Sequence, residues 1–287
     1  MILVTGATGT VGREVVRRLP GGVRARLMSR SGVTGGVRPG HEAVTADYGD
    51  AGSLGRALAG VRTAFLVTGR PGGDDDARFL RAARAAGVER VVKLSAAAVL
   101  DPGADDLITR WQRANEELLR GCGTAWTLLR PRAFMSNTLS WAASVRAEGV
   151  VRALYGASAN ACVDPGDVAE AAVRTLTEDG HAGRAYTLTG PAAVTPVEQT
   201  EQLGEVLGVP LRFEELGPER ALAALRARHP EPVARALLAS ALRQRDGAKA
   251  EVVETVRAVT GLPARPFRVW AEEHRGAFVP EPAGRRR

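Results

Sequence analysis

The chain opens MILVTGATGTVGREVVRRL, placing Gly6, Gly9 and Gly12 between a short apolar run and an amphipathic one. Glycine after a strand permits a turn with positive φ and lets backbone approach backbone or a ligand. Val11, Val15, Val16 and Leu19 recur at helical spacing, so the turn leads directly into a helix. Gly6 suits the sharp turn, Gly9 the close approach of a pyrophosphate, and Gly12 the packing of helix on strand. The helix N-terminus adds N–H donors and a positive dipole end. The glycines alone would fit any tight strand-helix turn; in this context they read as a dinucleotide site.

The next hundred residues repeat the alternation. ILVT (2–5), ARLMS (25–29), EAVTA (42–46), AFLVT (64–68), RVVKLS (90–95) and WTLLR (126–130) read as strands. Several are apolar on both faces, as parallel strands between two helix layers must be. Helices are expected at 11–19, 50–59, 74–86 and 106–120, with an irregular crossover through the Gly- and Pro-rich residues 29–43. The economical fold class is α/β, a doubly wound parallel (Rossmann) sheet. Beyond residue 131 the pattern loosens. Helical stretches near 134–147, 165–178, 195–207, 218–244 and 248–259, with short strands near 150–154, 185–189 and 211–215, suggest a smaller, mostly helical substrate region. The expected division is residues 1–131 for the NADP(H)-binding domain and 132–287 for the substrate-binding region, intertwined with it and packed at the C-terminal edge of the sheet.

The end of the second strand decides which dinucleotide fits. An acidic residue there would bond the ribose hydroxyls of NAD and repel a 2′-phosphate. Here the residues are Ser29, Arg30 and Ser31, a guanidinium fork flanked by two hydroxyl donors, which favours NADP(H). A solvated loop charge is the alternative for Arg30.

Several segments taken together carry a resemblance: TGATGTVG (5–12), FLVTG (65–69), VVKLSA (91–96), NEELLRGCGTAWTLLRPRAFMSN (115–137), VDPGDVAEAA (163–172) and GRAYTLTGP (183–191). In order, and over nearly the whole chain, they resemble the NmrA-like family of atypical short-chain dehydrogenase/reductases. The resemblance implies that Gly6, Thr8, Gly9, Thr10, Val11 and Gly12 cradle the pyrophosphate and that Arg30 meets the 2′-phosphate. It implies Asp47 and Tyr48 near the adenine, and Thr68 and Gly69 along the path to the nicotinamide. Ser95, Ala96, Ala97, Pro131 and Phe134 would border the nicotinamide itself. Asp47 as a cap for the helix near Asp50, and Phe134 as a core residue, remain open.

Turnover is a separate question. Classical short-chain reductases pair Tyr with Lys four residues on, and none of Tyr48, Tyr155 and Tyr186 has that partner. Relatives in the NmrA-like group often carry Lys or His at the helix position held here by Gln112. An amide donates a hydrogen bond but supplies no proton at neutral pH. Quinones and conjugated carbonyls then need the least help, because a phenolate-like oxygen has a pKa of about 10, whereas a simple ketone yields a far more basic alkoxide. The expected activity is NADPH-dependent hydride transfer to a quinone or other conjugated carbonyl, with Ser95 and Gln112 bonding the developing oxyanion. Trp111, Phe134, Met135, Trp141 and Tyr155 would wall a pocket for a flat, apolar small molecule, aromatic ones included, although each also suits a core. Trp126 and Trp270 are expected in the core. Two other readings stay open: a non-catalytic NADP(H) sensor, and an epimerase, dehydratase or lyase using bound NADP(H).

A net charge of +7 raises the question of nucleic acid. The arginines are scattered among acidic neighbours, and only Arg285 to Arg287 form a basic tail, which weighs against it. No apolar span suits a membrane, and the N-terminus enters a strand directly, so a cytoplasmic monomer or homodimer is expected. Cys122 and Cys162 lack metal or redox spacing and read as small buried hydrophobes. Neither His41, His181, His229 and His274 nor the carboxylates suggest a metal site; Asp74 to Asp76 and Asp105–Asp106 suit helix starts, and Glu116–Glu117 a solvated face.

Overall fold

The computed structural model describes residues 1–32 and 37–279. The basic tail at 285–287 and part of the expected crossover, 33–36, lie outside the described residues. The chain runs β1 (Ile2–Val4), α1 (Thr10–Arg18), β2 (Ala25–Ser29), β3 (His41–Thr45), α2 (Ala51–Leu58), β4 (Thr63–Leu66) and α3 (Asp75–Ala85). It continues through β5 (Arg90–Leu94), α4 (Leu107–Gly121), β6 (Ala125–Pro131), α5 (Ala142–Glu148), β7 (Val150–Ala153) and α6 (Pro165–Thr177). Last come β8 (Arg184–Leu188), α7 (Pro196–Leu207), β9 (Arg212–Glu215), α8 (Pro218–Arg226), α9 (Glu231–Arg245), α10 (Thr255–Thr260) and α11 (Phe267–Glu273).

Two compact units share these elements. The first comprises Met1–Pro131, Pro165–Leu188 and Thr255–Leu262; the second comprises Arg132–Asp164, Thr189–Glu254 and the C-terminal remainder from Pro263. In unit 1 the strands lie in the order β3-β2-β1-β4-β5-β6-β8, and every neighbouring pair is parallel. This is the doubly wound α/β sheet expected from the alternating pattern. Its strand order reverses between β1 and β4, where such sheets leave a crevice at the strands' C-terminal ends.

The apolar residues explain the layers. Leu3, Leu66, Val91 and Leu128 project from the strands into one cluster with Leu54 and Leu58 of α2, Phe79 and Leu80 of α3, and Leu119 of α4. Each such side chain contributes about 1.5–3 kcal/mol when fully buried. α1 and α6 pack on each other, and α6 also meets β4, β5 and β6. Four of the residues α6 buries are Val168, Ala169, Ala171 and Ala172, small or β-branched side chains that permit close contact.

Three expectations change. The strand expected near 185–189 is β8, which extends the large sheet beside β6. The helix expected over 218–244 divides into α8 and α9, because Pro230 has no N–H to continue the ladder. Helix formation over 248–259 is confined to α10. The preceding segment instead bonds neighbouring loops of unit 2, with the Ala161 N–H donating to Lys249 O at 2.9 Å and the Val253 N–H to Thr189 Oγ1 at 3.1 Å. Unit 2 otherwise has a two-stranded parallel sheet of β7 and β9 and a core built on Met135, Val151, Leu203, Phe267 and the fully buried Trp270. Trp126 packs at the edge of the unit 1 core. No helix among the described residues is long and apolar enough to cross a membrane.

Candidate active site

The crevice of unit 1 is a groove of about 550 Å³ lined by residues that follow four successive parallel strands. Gly6, Thr8 and Gly9 follow β1; Ser29, Arg30 and Ser31 end or follow β2; Asp47 and Tyr48 follow β3; Val67 and Gly69 follow β4. The glycines are needed sterically. Gly6 has φ +59°, and a Cβ on Gly12 would lie 2.1 Å from the Gly6 carbonyl oxygen. Gly9 caps α1 with no side-chain hydrogen bond, and the first turn holds no acidic residue. The helix therefore presents its N-terminal N–H groups and positive end without an internal anion, an arrangement that fits a pyrophosphate. Thr10 opens α1, and Val11 is buried beneath it, 4% exposed.

The adenosine side is shaped by local bonds. Ser29 Oγ donates to Gly32 O at 2.8 Å, whereas Arg30 and Ser31 are exposed. Asp47 accepts from the Gly49 N–H at 2.7 Å, and Asp50, not Asp47, caps α2 by accepting from Gly52 and Ser53. Tyr48 donates its hydroxyl to Val67 O at 2.8 Å, tying the loop after β3 to the one after β4. Burial pushes the Tyr48 phenol well above its ordinary range, so it stays protonated.

Two further lining residues, Arg70 and Asp75, the latter read from sequence only as part of a helix start, form an ion pair. Behind them lies a buried network. Lys93 Nζ sits 2.5 Å from Asp76 Oδ1, with both side chains fully inaccessible. Thr68 Oγ1 donates to Asp76 Oδ2 at 2.6 Å, and Lys93 Nζ lies 5.8 Å from the centre of the Trp111 ring. A sequence signal for this network existed. Lys93 and Lys249 are the lysines of a chain whose other cations are arginines, and Lys93 stands within an apolar strand.

On the α4 side, Ser95 Oγ donates to Glu116 Oε1 at 2.6 Å, and Arg130 binds the same carboxylate through two hydrogen bonds. Glu116 is thus no solvated helix residue; it is 2% exposed, held inward by Arg130 and also bonded by Arg120. Burial works to raise its pKa, but the bonds from Arg130 and Ser95 and the adjacent positive charge outweigh it and hold the carboxyl below its usual range. The stability this adds is complete above the ordinary carboxylate pKa and is lost as pH falls through the lowered one. Denaturant titrations across the acid range should show a shallower loss of stability for Glu116→Gln than for the wild type.

Gln112, 8% exposed, has Oε1 buried without a hydrogen-bond partner. Trp111 donates Nε1–H to Gly73 O at 3.0 Å. Ala96 precedes, and the buried Ala97 begins, the 3₁₀ turn Ala97–Leu100 after β5, while Pro131 ends β6.

The other residues expected to wall the substrate pocket, Phe134, Met135, Trp141 and Tyr155, belong to unit 2. Phe134 and Trp141 line a cavity of about 740 Å³ there, while Met135 is core, 1% exposed. Tyr155 has φ 52°, unusual for a residue with a side chain, and its hydroxyl is buried without a hydrogen-bond partner. Cys162 is buried, its thiol pushed up to about 12 by burial; Cys122 is partly exposed, and both are free. Among the described residues no cluster of His, Cys, Asp and Glu could hold a metal.

Comparison with known proteins meets this geometry at the groove: residues 6–179 match the model of a family described as NAD(P)H-binding. The chain belongs to that NAD(P)H-binding family. It is an NAD(P)H-dependent oxidoreductase. It is 58% identical over 282 residues, 98% of this chain and 100% of the other, to the (4-alkanoyl-5-oxo-2,5-dihydrofuran-3-yl)methyl phosphate reductase of Streptomyces griseus. The NADPH-dependent quinone oxidoreductase of Escherichia coli, solved with NADPH, is 25% identical with a TM-score of 0.80, covering 96% of this chain and 99% of that one. The negative transcriptional regulator NmrA, solved with NAD, shares the fold at 16% identity and a TM-score of 0.76, over 95% of this chain and 94% of its own.

Proposed function

We propose that this protein is an NADPH-dependent reductase of a conjugated carbon–carbon double bond in a phosphorylated alkanoyl-butenolide, acting in the cytoplasm on this small molecule. The observation that carries the substrate class is the 58% identity, end to end, with a reductase of such a compound. It falls within the conjugated carbonyls favoured by Gln112 in place of a proton-transferring residue.

The groove fits NADP(H): a glycine cradle, an uncapped helix start, and Arg30 flanked by two serines where NAD-specific sites carry an acid. In this reading Gly6, Thr8, Gly9, Thr10 and Gly12 hold the pyrophosphate, with Val11 packed below. Arg30, Ser29 and Ser31 hold the 2′-phosphate, Asp47 and Tyr48 flank the adenine, and Thr68 and Gly69 line the path onward. Ser95, Ala96, Ala97 and Pro131 border the nicotinamide. When bound, NADPH supplies the hydride.

The named substrate class has its ring double bond conjugated to both a lactone and an alkanoyl carbonyl. Addition of hydride at the phosphomethyl-bearing carbon sends the electron pair into an enolate shared by two oxygens, and one proton then completes the reduction at the alkanoyl-bearing carbon. Such a delocalised charge needs hydrogen bonds more than an acid. Gln112 supplies them: a buried acceptor without a partner costs about 1–3 kcal/mol, so this amide is kept for a ligand. Rotating the amide presents its N–H groups to the oxyanion instead. Ser95, expected to bond the oxyanion, instead donates its hydroxyl hydrogen bond to Glu116, which fixes the end of β5; the final proton comes from water.

Stopped-flow mixing of the enzyme–NADPH complex with the butenolide phosphate, a quinone and a simple ketone tests the order. Oxidation should be fastest with the butenolide and absent with the ketone; a ketone reduced equally well would contradict the assignment of Gln112. Arg30→Ala should weaken NADPH binding by about 1.5–3 kcal/mol, the range for one charged hydrogen-bonding group, and leave NADH unchanged in calorimetry.

A further inference from the structure

The loop from β4 to α3 has the sequence TGRPGGDD, 68–75. Pro71 presets its own φ and Gly72 adopts φ +80°, the pattern of a type II turn, which the Gly73 N–H closes by donating to Arg70 O at 2.9 Å. Trp111 pins the turn through its bond to Gly73 O. A Cβ on Gly73 would lie 2.8 Å from Arg70 Nε and 3.0 Å from Arg70 O, so glycine there leaves room for the arginine side chain to pass over its own turn. That side chain ends on Asp75 at the start of α3, and both residues line the groove. The two partners differ in freedom: the Asp75 side chain is 9% exposed and that of Arg70 64%. A guanidinium carries five N–H donors, and among the described residues the one side-chain hydrogen bond of Arg70 runs from Nη2 to Asp75. The rest of the fork is available to a ligand.

We infer that Arg70 binds the pyrophosphate of the dinucleotide, with Asp75 as the counter-ion that keeps its guanidinium at the groove. This deepens the placement of NADP(H) in the groove and rests on it. The sheet order decides which phosphate Arg70 meets. Arg30 follows β2 and Arg70 follows β4, while the glycine turn and the start of α1 follow β1, the strand between them. Neighbouring strands lie about 4.8 Å apart, so the two arginines leave strands about two spacings apart, on opposite sides of the glycine cradle. Arg30 therefore serves the 2′-phosphate and Arg70 the pyrophosphate. Charge supports the division. Besides these two cations the groove lining holds Asp47 and Asp75. Without a partner Asp75 would repel a phosphate; paired, it holds a fork that can bind phosphate oxygens through parallel N–H bonds. An ion pair with one exposed member is weak, so sharing Arg70 with a ligand costs little. The start of α1 offers only a partial positive charge, to which Arg70 adds a full one.

Calorimetric titration of the full chain with NADPH, and with adenosine 2′-phosphate, which lacks the pyrophosphate, tests the assignment. Arg70→Met should weaken NADPH binding about tenfold or more, the scale of one charged hydrogen bond, and leave adenosine 2′-phosphate unchanged. Arg30→Ala should weaken both ligands. In an Asp75→Asn background, Arg70→Met should still cost NADPH about tenfold. No loss in that background would mean that Arg70 only neutralises Asp75, and would overturn the inference. An unchanged NADPH affinity in Arg70→Met, or an equal loss for the two ligands, would overturn it as well. Arg30→Ala separates this from the placement of the cofactor. If it weakens NADPH and Arg70→Met does not, the placement stands and the role of Arg70 fails; if neither variant changes NADPH affinity, both fail.

Discussion

Replacing Asp76 by alanine is expected to destabilise the protein by about 3–5 kcal/mol, the cost of leaving one member of a buried ion pair without its partner. Lys93 would remain fully inaccessible, with its ammonium deprived of the carboxylate 2.5 Å away, and Thr68 would lose its acceptor. The double replacement Asp76→Ala with Lys93→Met should recover most of that loss, since removing both charges leaves neither uncompensated. Denaturant unfolding of the two single variants and the double variant measures this. A single-variant loss below about 1 kcal/mol would mean that water reaches the pair, as for exposed ion pairs. The effect should extend to the cofactor, because Thr68 adjoins Val67 and Gly69, and Asp76 adjoins Asp75, all three lining the groove.

Gly12→Ala should all but abolish NADPH binding. Its Cβ would lie 2.1 Å from the oxygen and 2.7 Å from the carbon of the Gly6 carbonyl, both backbone atoms that no rotamer change can move aside. The turn from β1 to α1 must therefore open, carrying the N–H groups of the helix start out of line, and overpacking of this kind costs about 1–3 kcal/mol in stability besides. A rise in the NADPH dissociation constant of at least about a hundredfold, with circular dichroism retained, is the expected result. The milder contact at Gly9, 3.2 Å from the same oxygen, should make Gly9→Ala the less damaging change. Equal affinity for wild type and Gly12→Ala would mean that the glycine turn does not hold the pyrophosphate.

What was legible in the sequence was what neighbouring residues determine. The glycines, the alternation of strands and helices, and Ser29 to Ser31 act through local geometry, and all of these follow the strands they were read from. What was hidden depends on distant partners. Asp74 to Asp76 do begin α3, but only the fold shows Asp76 reaching Lys93 on β5 and Asp75 meeting Arg70. Glu116 lies on the helix face of Gln112, Asn115 and Leu119, but a carboxylate next to a second glutamate reads as solvated until the fold brings Arg130, from β6, to bind it. The run 218–244 hid its break because a helical pattern lies on each side of Pro230, whose missing N–H outweighed the periodicity.

In the proposed reaction hydride reaches carbon, at the double bond of a phosphorylated butenolide rather than at a carbonyl. Reduction with NADPH deuterated at both C4 positions, followed by NMR of the product, tests it most directly. One deuterium on the ring carbon bearing the phosphomethyl group, both carbonyls intact, and one equivalent of NADP⁺ formed per product are expected. Deuterium on a newly formed carbinol carbon, or no turnover by protein that binds NADPH tightly, would contradict it.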